Sequence, residues 1–513
     1  MTRTAAAAAI VASLLTSAAG QSGSSIRVPA GGDLQSALNM ARPGDTIVLD
    51  AGATYVGNFV LPAKLGGGDA FITIRSSAAD SLLPGENERI GPQHAPHLPK
   101  LRSPNTQSVL STAPGVHHYR LLHLEFQANS GGFGDIIRLG DGSSAQNTHA
   151  SVPHNLIVDR CYIHGDPVHG QKRGIALNSA STSIINSHVS EIKAVGQDSQ
   201  AIGGATGPGP YTISNNYLEG AGENVMFGGS DPGIPNLVPS DITITNNHIA
   251  KPIAWRGSRW TVKNLLELKN ARRVRISGNL LEYNWLHAQT GYAVLFHVRN
   301  QDGQCPWCQV EQVVFEHNVV RHSAAGVSIL GTDYLHPSRQ TRDITIRHNL
   351  FYDIDNKNWG GNGYFLKMTD GPRDVVVDHN TIIQENAYGI LVVSDPPVLG
   401  FTFTNNLVRH NAYGLKGDSR AAGLDTIRAY LPASTVTANA IADAPAHLYP
   451  GGNLFPTSTE FRRQFVSYEN GDYRLVPGSP WRGAGSDGLD LGAGGAALPS
   501  PQRPRPSPLP RVP

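Results

Sequence analysis

Five ionisable residues stand at alternate positions of short apolar segments. Glu267 and Lys269 lie in NLLELKN (264–270), His297 and Arg299 in YAVLFHVRN (292–300), and Lys367 in YFLKMTD (364–370). If Leu266, Leu268, Val294, Phe296, Val298, Tyr364, Leu366 and Met368 point inward, then Leu265, Glu267, Lys269, His297, Arg299 and Lys367 point outward. Such a mixed, mainly basic face suits an acidic polysaccharide. β-Elimination on a uronate needs the carboxylate neutralised, by a cation or Ca²⁺, so that the adjacent C–H becomes acidic. It also needs Lys, Arg or His as the base that removes this proton. Lys269 or Lys367 is the candidate base, His297 or Arg299 the assisting acid or neutraliser. Glu267 or Asp231 would orient them or hold Ca²⁺. Exposed sheet faces also carry ordinary solvated charge, so that reading stays open beside the catalytic one.

Five segments end in a small or flexible residue and Asp: Ser230-Asp231, Thr332-Asp333, Thr369-Asp370, Ser394-Asp395 and Gly417-Asp418. Each Asp is a turn initiator first. Stacked in a column, such carboxylates would also offer oxygens to Ca²⁺, with Asp370 and Asp395 as candidate ligands. Paired carboxylates are equally the requirement of a glycoside hydrolase, and Glu267 with Glu223 or Asp231 is the best pair available. Glu223, Asn224, Asp231, Trp285, Asn300 and Trp359 are the candidate substrate contacts. A tryptophan beside a groove stacks on sugar rings, and a buried one fills a corner. The loop HGDPVHGQKR (164–173) reads as solvated, since no further spaced ligand accompanies its two histidines.

These segments alternate with a recurring phrase, a strand followed by an Asn corner: YTISNNYL (211–218), DITITNNHI (241–249), VRISGNLL (274–281), VVFEHNVV (313–320), ITIRHNLF (344–351), VVVDHNTI (375–382) and FTFTNNLV (401–408). The second corner residue is Asn216, Asn247, Asn279, Asn318, Asn349, Asn380 and Asn406, with gaps of 31, 32, 39, 31, 31 and 26 residues. A repeat of this length made of strands is a stacked solenoid. The recurring Asn is expected to tolerate a left-handed backbone and to hydrogen-bond its counterparts above and below.

One long solenoid accounts for most of the 513 residues. A net charge of +1 with 16 % charged residues gives no bulk attraction to nucleic acid or anionic membrane. Residues 1–20 (MTRTAAAAAIVASLLTSAAG) read as a secretory signal, too short for a confident membrane span. In a secreted chain Cys305 and Cys308, within Cys-Pro-Trp-Cys, are expected to form a local disulfide. Cys161 occupies a corner position as a buried thiol. Residues 25–61 form an N-terminal cap with one amphipathic helix, capped by Asp33 and burying Leu34, Ala37 and Leu38. Regular coils are expected over 150–420, a Pro-, Gly- and His-rich loop (84–104) as a lid or lip beside a groove, a less regular stretch over 421–480 in which GNLFPTS (452–458) to YRLVPGSP (473–480) forms the last coils, and a disordered Pro-rich tail over 497–513.

A capping helix, then PGDTIVL, then Asn-cornered strands and a terminal GLDLGA, resembles the right-handed parallel β-helix proteins of the pectate-lyase superfamily over about residues 25–495. The N-terminal layout most resembles the branch with the alginate lyases and chondroitinase B. The resemblance implies an all-β right-handed parallel β-helix, monomeric and secreted or periplasmic, acting on a polysaccharide, with Ca²⁺ as a candidate cofactor. Neither nucleic acid nor stable membrane insertion is expected. The Asp-Asp, Gly-His-Gly and Arg-Ile-Lys strings of the polygalacturonase-like hydrolases are absent, and so is the Asn-Gly-x-Glu-x-x-Arg pattern of the alginate-lyase branch, which leaves the outward basic face as the ground for ranking the activities. The expected activity is therefore β-elimination of an acidic polysaccharide, ahead of glycoside hydrolysis and of glycan binding without catalysis.

Overall fold

The computed structural model describes residues 23–66 and 68–494. The expected signal (1–20) and the Pro-rich tail (497–513) lie outside the described residues. Three parallel sheets of 14, 13 and 12 strands run the length of the molecule. Each coil crosses the first sheet, turns at the Asn corner, crosses the second, and then crosses the third. Ser240–Thr245, His248–Ala250 and Asn264–Leu268 form one such coil. Each strand pairs in register with its equivalent one coil away, as Ile242 does with Val274 and Leu266 with Val294. The chain is a right-handed parallel β-helix. Strands of these sheets extend from Ser25 to Ala442, well beyond 150–420.

Alternation explains the winding. Ile213, Ile244, Ile276, Phe315, Ile346 and Val377 point inward from successive first-sheet strands and form one continuous apolar core. At the corner the asparagines turn inward and are almost wholly buried. Each donates its Nδ2–H to the Oδ1 of the next, at 2.9 to 3.1 Å from Asn216 to Asn406. The ladder continues to Asn439 and Asn453 at 2.9 and 3.0 Å. The left-handed residue is not the ladder Asn but the one before it: Asn215, Asn246, Gly278, His317, His348, His379 and Asn405 all have φ between 51° and 69°. That residue makes the bend, which frees the next side chain to point inward. Cys161 is buried in the same column, and burial pushes its thiol up to about 12.

At the N-terminus, helix Leu34–Met40 is capped by Asp33, whose Oδ1 accepts the Ser36 N–H at 2.9 Å, and buries Leu34, Ala37 and Leu38. The 84–104 loop is neither a lid nor a lip of the third sheet. It packs on the Asn corner, where Arg89 donates to Asn215 Oδ1 at 3.2 Å and Ile90 N to Asn186 O at 2.9 Å. The expected late coils differ in part. Asn453 and Leu454 of the expected last coils do add a parallel rung on Asn439 and Ala440, but beyond them the chain folds back as helix Ser458–Arg463 and an antiparallel hairpin, Phe465–Ser467 with Asp472–Leu475. Phe461, Phe465, Tyr468 and Trp481 thereby cover Ile383, Leu407 and Ala440 of the last coils. Cys305 and Cys308 are joined as a disulfide with Cα atoms 5.3 Å apart. Among the described residues, no helix is long and apolar enough to cross a membrane.

Candidate active site

Third-sheet strands begin with an inward step of two residues. Leu265 and Leu266, and then Ala293 and Val294, both enter the core. Leu265 is therefore inside, contrary to simple alternation. After the step, alternation resumes. Met226, Glu267, Leu295, Ser328, Lys367, Val392 and Lys416 pair in sequence as one row across the outer face. Lys269 and His297 follow this row by two residues, and the Arg299 N–H donates to Lys269 O at 2.9 Å. The structure thus brings Glu267, Lys269, His297, Arg299 and Lys367 onto one face within four consecutive coils.

Lys269 is seated by glycine. Its stem runs over Gly228 and Gly229, which have φ of +95° and +84°, and a Cβ on Gly228 would sit 2.8 Å from Lys269 Cβ. Lys269 Nζ lies 3.7 Å from Glu267 Oε1, and Glu267 Oε2 accepts Asn264 Nδ2–H at 2.9 Å. His297 Nε2 is 2.9 Å from Ser328 Oγ. Burial first, then the charges of Arg299, Lys367 and Lys269, push the His297 pKa down to about 3, so its imidazole is neutral at physiological pH. Arg299 is held by Asp333 at 3.2 Å, with its guanidinium 4.5 Å from the Tyr334 ring centroid.

Beneath this face lies Glu223, fully buried, its Oε2 accepting Gln200 Nε2–H at 2.8 Å. Its Oε1 has no hydrogen-bond donor and faces Lys263 Nζ at 3.7 Å, which is itself paired with Asp198. Burial, then the charges of Glu267 and Asp198, raise the Glu223 pKa to about 7, against the opposing pull of Lys269 and Lys263. Deeper still, Lys251 Nζ donates to five oxygens, those of Gly220, Ala221, Gly222 and Asn264 and the Asn224 side chain, at 2.5 to 3.2 Å. It ties the turn before Glu223 to the start of the Asn264–Leu268 strand. Burial lowers its pKa to about 7.

Several expected substrate contacts are structural. Asn224 is buried inside the coil and donates to Leu218 O and Ala250 O at 2.8 and 2.7 Å. Asn300 is buried and receives Cys305 N–H at 2.7 Å. Asp231 Oδ2 accepts the Asp302 and Gln304 N–H groups at 3.0 and 2.8 Å, pinning the disulfide loop. Trp285 is only 3 % exposed, packed with Trp255, Trp260 and Val262. Trp359 is half-buried and donates Nε1–H to Asp353 at 3.1 Å. Lys263, Ser328 and Lys251 escaped the sequence reading, and Asp333, read as one of five strand-ending carboxylates, instead pairs with Arg299. Lys263 stands just before the two-residue step, where alternation gives no face, and nothing in the pattern marks Lys251 as buried.

Among the described residues, no group of three or more His, Cys, Asp or Glu is placed to hold a metal ion, Asp370 and Asp395 included. The carboxylates nearest the face, Glu223 and Glu267, already meet Lys263 and Lys269.

No family model matches the chain, and no curated protein matches it. Solved structures do. AlyGC, an alginate lyase of the PL6 family, is similar with a TM-score of 0.55 and 15 % identity, over 89 % of this chain and 55 % of its own. The fold is shared. The present chain spans just over half the length of that enzyme. The catalytic unit of a GH87 α-1,3-glucanase from Streptomyces thermodiastaticus is similar with a TM-score of 0.50 and 13 % identity, over 85 % of this chain and 70 % of its own.

Proposed function

We propose that the protein is a secreted, monomeric polysaccharide lyase that cleaves a uronate-containing chain by β-elimination. The observation that carries this reading is the convergence of Lys269, His297, Arg299 and Lys367 on one face, with Lys269 seated over Gly228 and Gly229. In the proposed reaction the uronate carboxylate lies against Lys367 and Arg299, which offset its charge and acidify the neighbouring C–H. Neutral His297 adds a hydrogen bond without adding charge. Lys269 removes the proton. The electron pair forms a C=C bond next to the carboxylate, the C–O bond to the adjoining sugar breaks, and the leaving oxygen takes up the proton that Lys269 has gained. Glu267 orients the lysine. The alginate lyase of the same fold supports this substrate class.

Glu223 favours a second reading. A carboxylic acid held up to about 7 beside Glu267 resembles the acid of a glycoside hydrolase pair, and a glucanase shares the fold. Its complete burial places it out of a glycan's reach, which ranks this reading lower.

Incubation with a panel of acidic polysaccharides separates the possibilities. A lyase generates the ultraviolet absorbance of the conjugated product, and Lys269→Met lowers that rate by at least about 100-fold. Reducing ends without absorbance would point to hydrolysis, and binding without either product to a glycan-binding protein. Full activity in Lys269→Met would remove Lys269 as the base.

A further inference from the structure

Beyond the cationic cluster the outer face of the third sheet changes character. Asn362, Tyr388 and Tyr413 stack one per coil at the lead-in to the strands. Tyr388 N–H donates to Asn362 O at 3.0 Å and Tyr413 N–H to Tyr388 O at 2.8 Å. The two tyrosine rings are 51 % and 49 % exposed, whereas Tyr292 and Tyr364 beside them are packed on Ala325. Alongside runs the continuation of the row that begins at Glu267: Lys367, Val392, Lys416. Beside the row lies a cavity of about 290 Å³, lined by Asn362, Tyr364, Lys367, Thr369, Ser394 and Asp418, and the Tyr364 ring meets that of Tyr388 edge-on at 6.4 Å between centroids.

These groups match the chemistry of a pyranose. A sugar presents flat C–H faces to aromatic rings and a rim of hydroxyls to amide, hydroxyl and carboxylate groups. Coils about 4.8 Å apart repeat at close to the length of one pyranose, so successive sugars meet successive coils. Lys367 and Lys416, two coils apart on one row, provide cations at twice that interval, one for every second sugar. A cavity of about 310 Å³ on the C-terminal flank lacks this pattern, because its Arg474 and Arg482 are partnered by Asp472 and Asp490.

We infer that Tyr388 and Tyr413, with the cavity between Tyr364 and Asp418, form an extended binding site for the uronate sugars adjoining the scissile bond. This rests on the lyase reading for its substrate class. The two tyrosines bind and do not catalyse.

The test uses the full chain, the double variant Tyr388→Ala/Tyr413→Ala and the control Tyr388→Phe/Tyr413→Phe. The probes are the purified hexamer and the shortest cleaved oligomer of whichever polysaccharide the panel selects. The Ala pair is expected to raise KM for the hexamer at least about tenfold, with kcat and the KM of the shortest oligomer unchanged, and the Phe pair to behave as the parent. An unchanged hexamer KM overturns the inference, as does an equal loss on both probes. If no polysaccharide is cleaved, the lyase reading fails separately, and the probes become hexamers of mannuronate, guluronate and galacturonate in direct binding. Weakened binding by the Ala pair then supports the site. Equal binding by parent and variant, or no binding by the parent, overturns it.

Discussion

At the scale of single residues, the site is a set of buried charges that constrain one another. Glu223 gives a pH signature. Its pKa of about 7, against an ordinary 4.5, means that the folded protein holds this proton more tightly than the unfolded chain. Its contribution to stability therefore falls as pH rises through that interval and is flat outside it. Glu223→Gln has no proton to lose. Its stability relative to the parent should rise by up to about 3 kcal/mol between pH 4 and 8, measured by denaturant unfolding across pH. Parallel curves for the two proteins would show that Glu223 is not the titrating group. The histidines do not confuse the comparison, because both proteins carry them. Period-two alternation made Glu267, Lys269, His297, Arg299 and Lys367 legible. Asn224 was misread because it sits at the two-residue inward step of its strand, and Asn300 and Trp285 because they follow strand ends, where alternation assigns no face. Lys251 was illegible for a different reason: its five acceptors are mostly backbone carbonyls, which any sequence supplies.

At the scale of elements, the Asn corner sets the register of the coils. Asn318 donates to Ile276 O and Asn349 Oδ1, and accepts from the backbone and side-chain N–H groups of Asn279. Replacing it removes four buried hydrogen bonds, so Asn318→Ala should cost about 3 kcal/mol. Asn453→Ala, at the half-buried end of the ladder, should cost about 1 kcal/mol. Hydrogen exchange is the fitting measurement, since a solenoid opens locally. Equal effects at the two positions would argue against a cooperative ladder. The recurrence of Asn at gaps near 31 residues exposed seven rungs directly. Asn439 and Asn453 were missed because the 435–437 strand is short and a gap of 14 residues leaves no room for a full coil between them. The left-handed position, one residue early, was hidden because His, Asn and Gly all fill it.

At the scale of the whole molecule, a parallel stack has two open ends. Strand Ser25–Val28 pairs with Thr46–Leu49, and helix Leu34–Met40 buries Leu34, Ala37 and Leu38 against the core. Deleting residues 25–44 would leave Thr46–Leu49 as an uncovered edge. The expected outcome is concentration-dependent association on size-exclusion chromatography, and an elution peak unaltered from that of the full chain would mean that the cap is dispensable. The helix was legible because Leu34, Ala37 and Leu38 form a helical apolar stripe behind the capping Asp33, whereas the equally short helix Leu424–Tyr430, which begins at a glycine with no side-chain cap, was not. The fold-back of residues 455–494 was not legible either, since its aromatic residues have no period and pack on a sheet face that only the finished coils create. The spacing of the Asn rungs has a further consequence. Rungs 26, 31 and 39 residues apart are joined by hydrogen bonds of the same length, so the corner is indifferent to how much chain each coil carries elsewhere. Loops at the rim can thus be lengthened, shortened or exchanged without shifting the coordinates of Lys269 or His297. For protein engineering the molecule is a rack with fixed slots, and new binding properties can be selected from loop libraries while the face that carries Lys269 and His297 stays where it is.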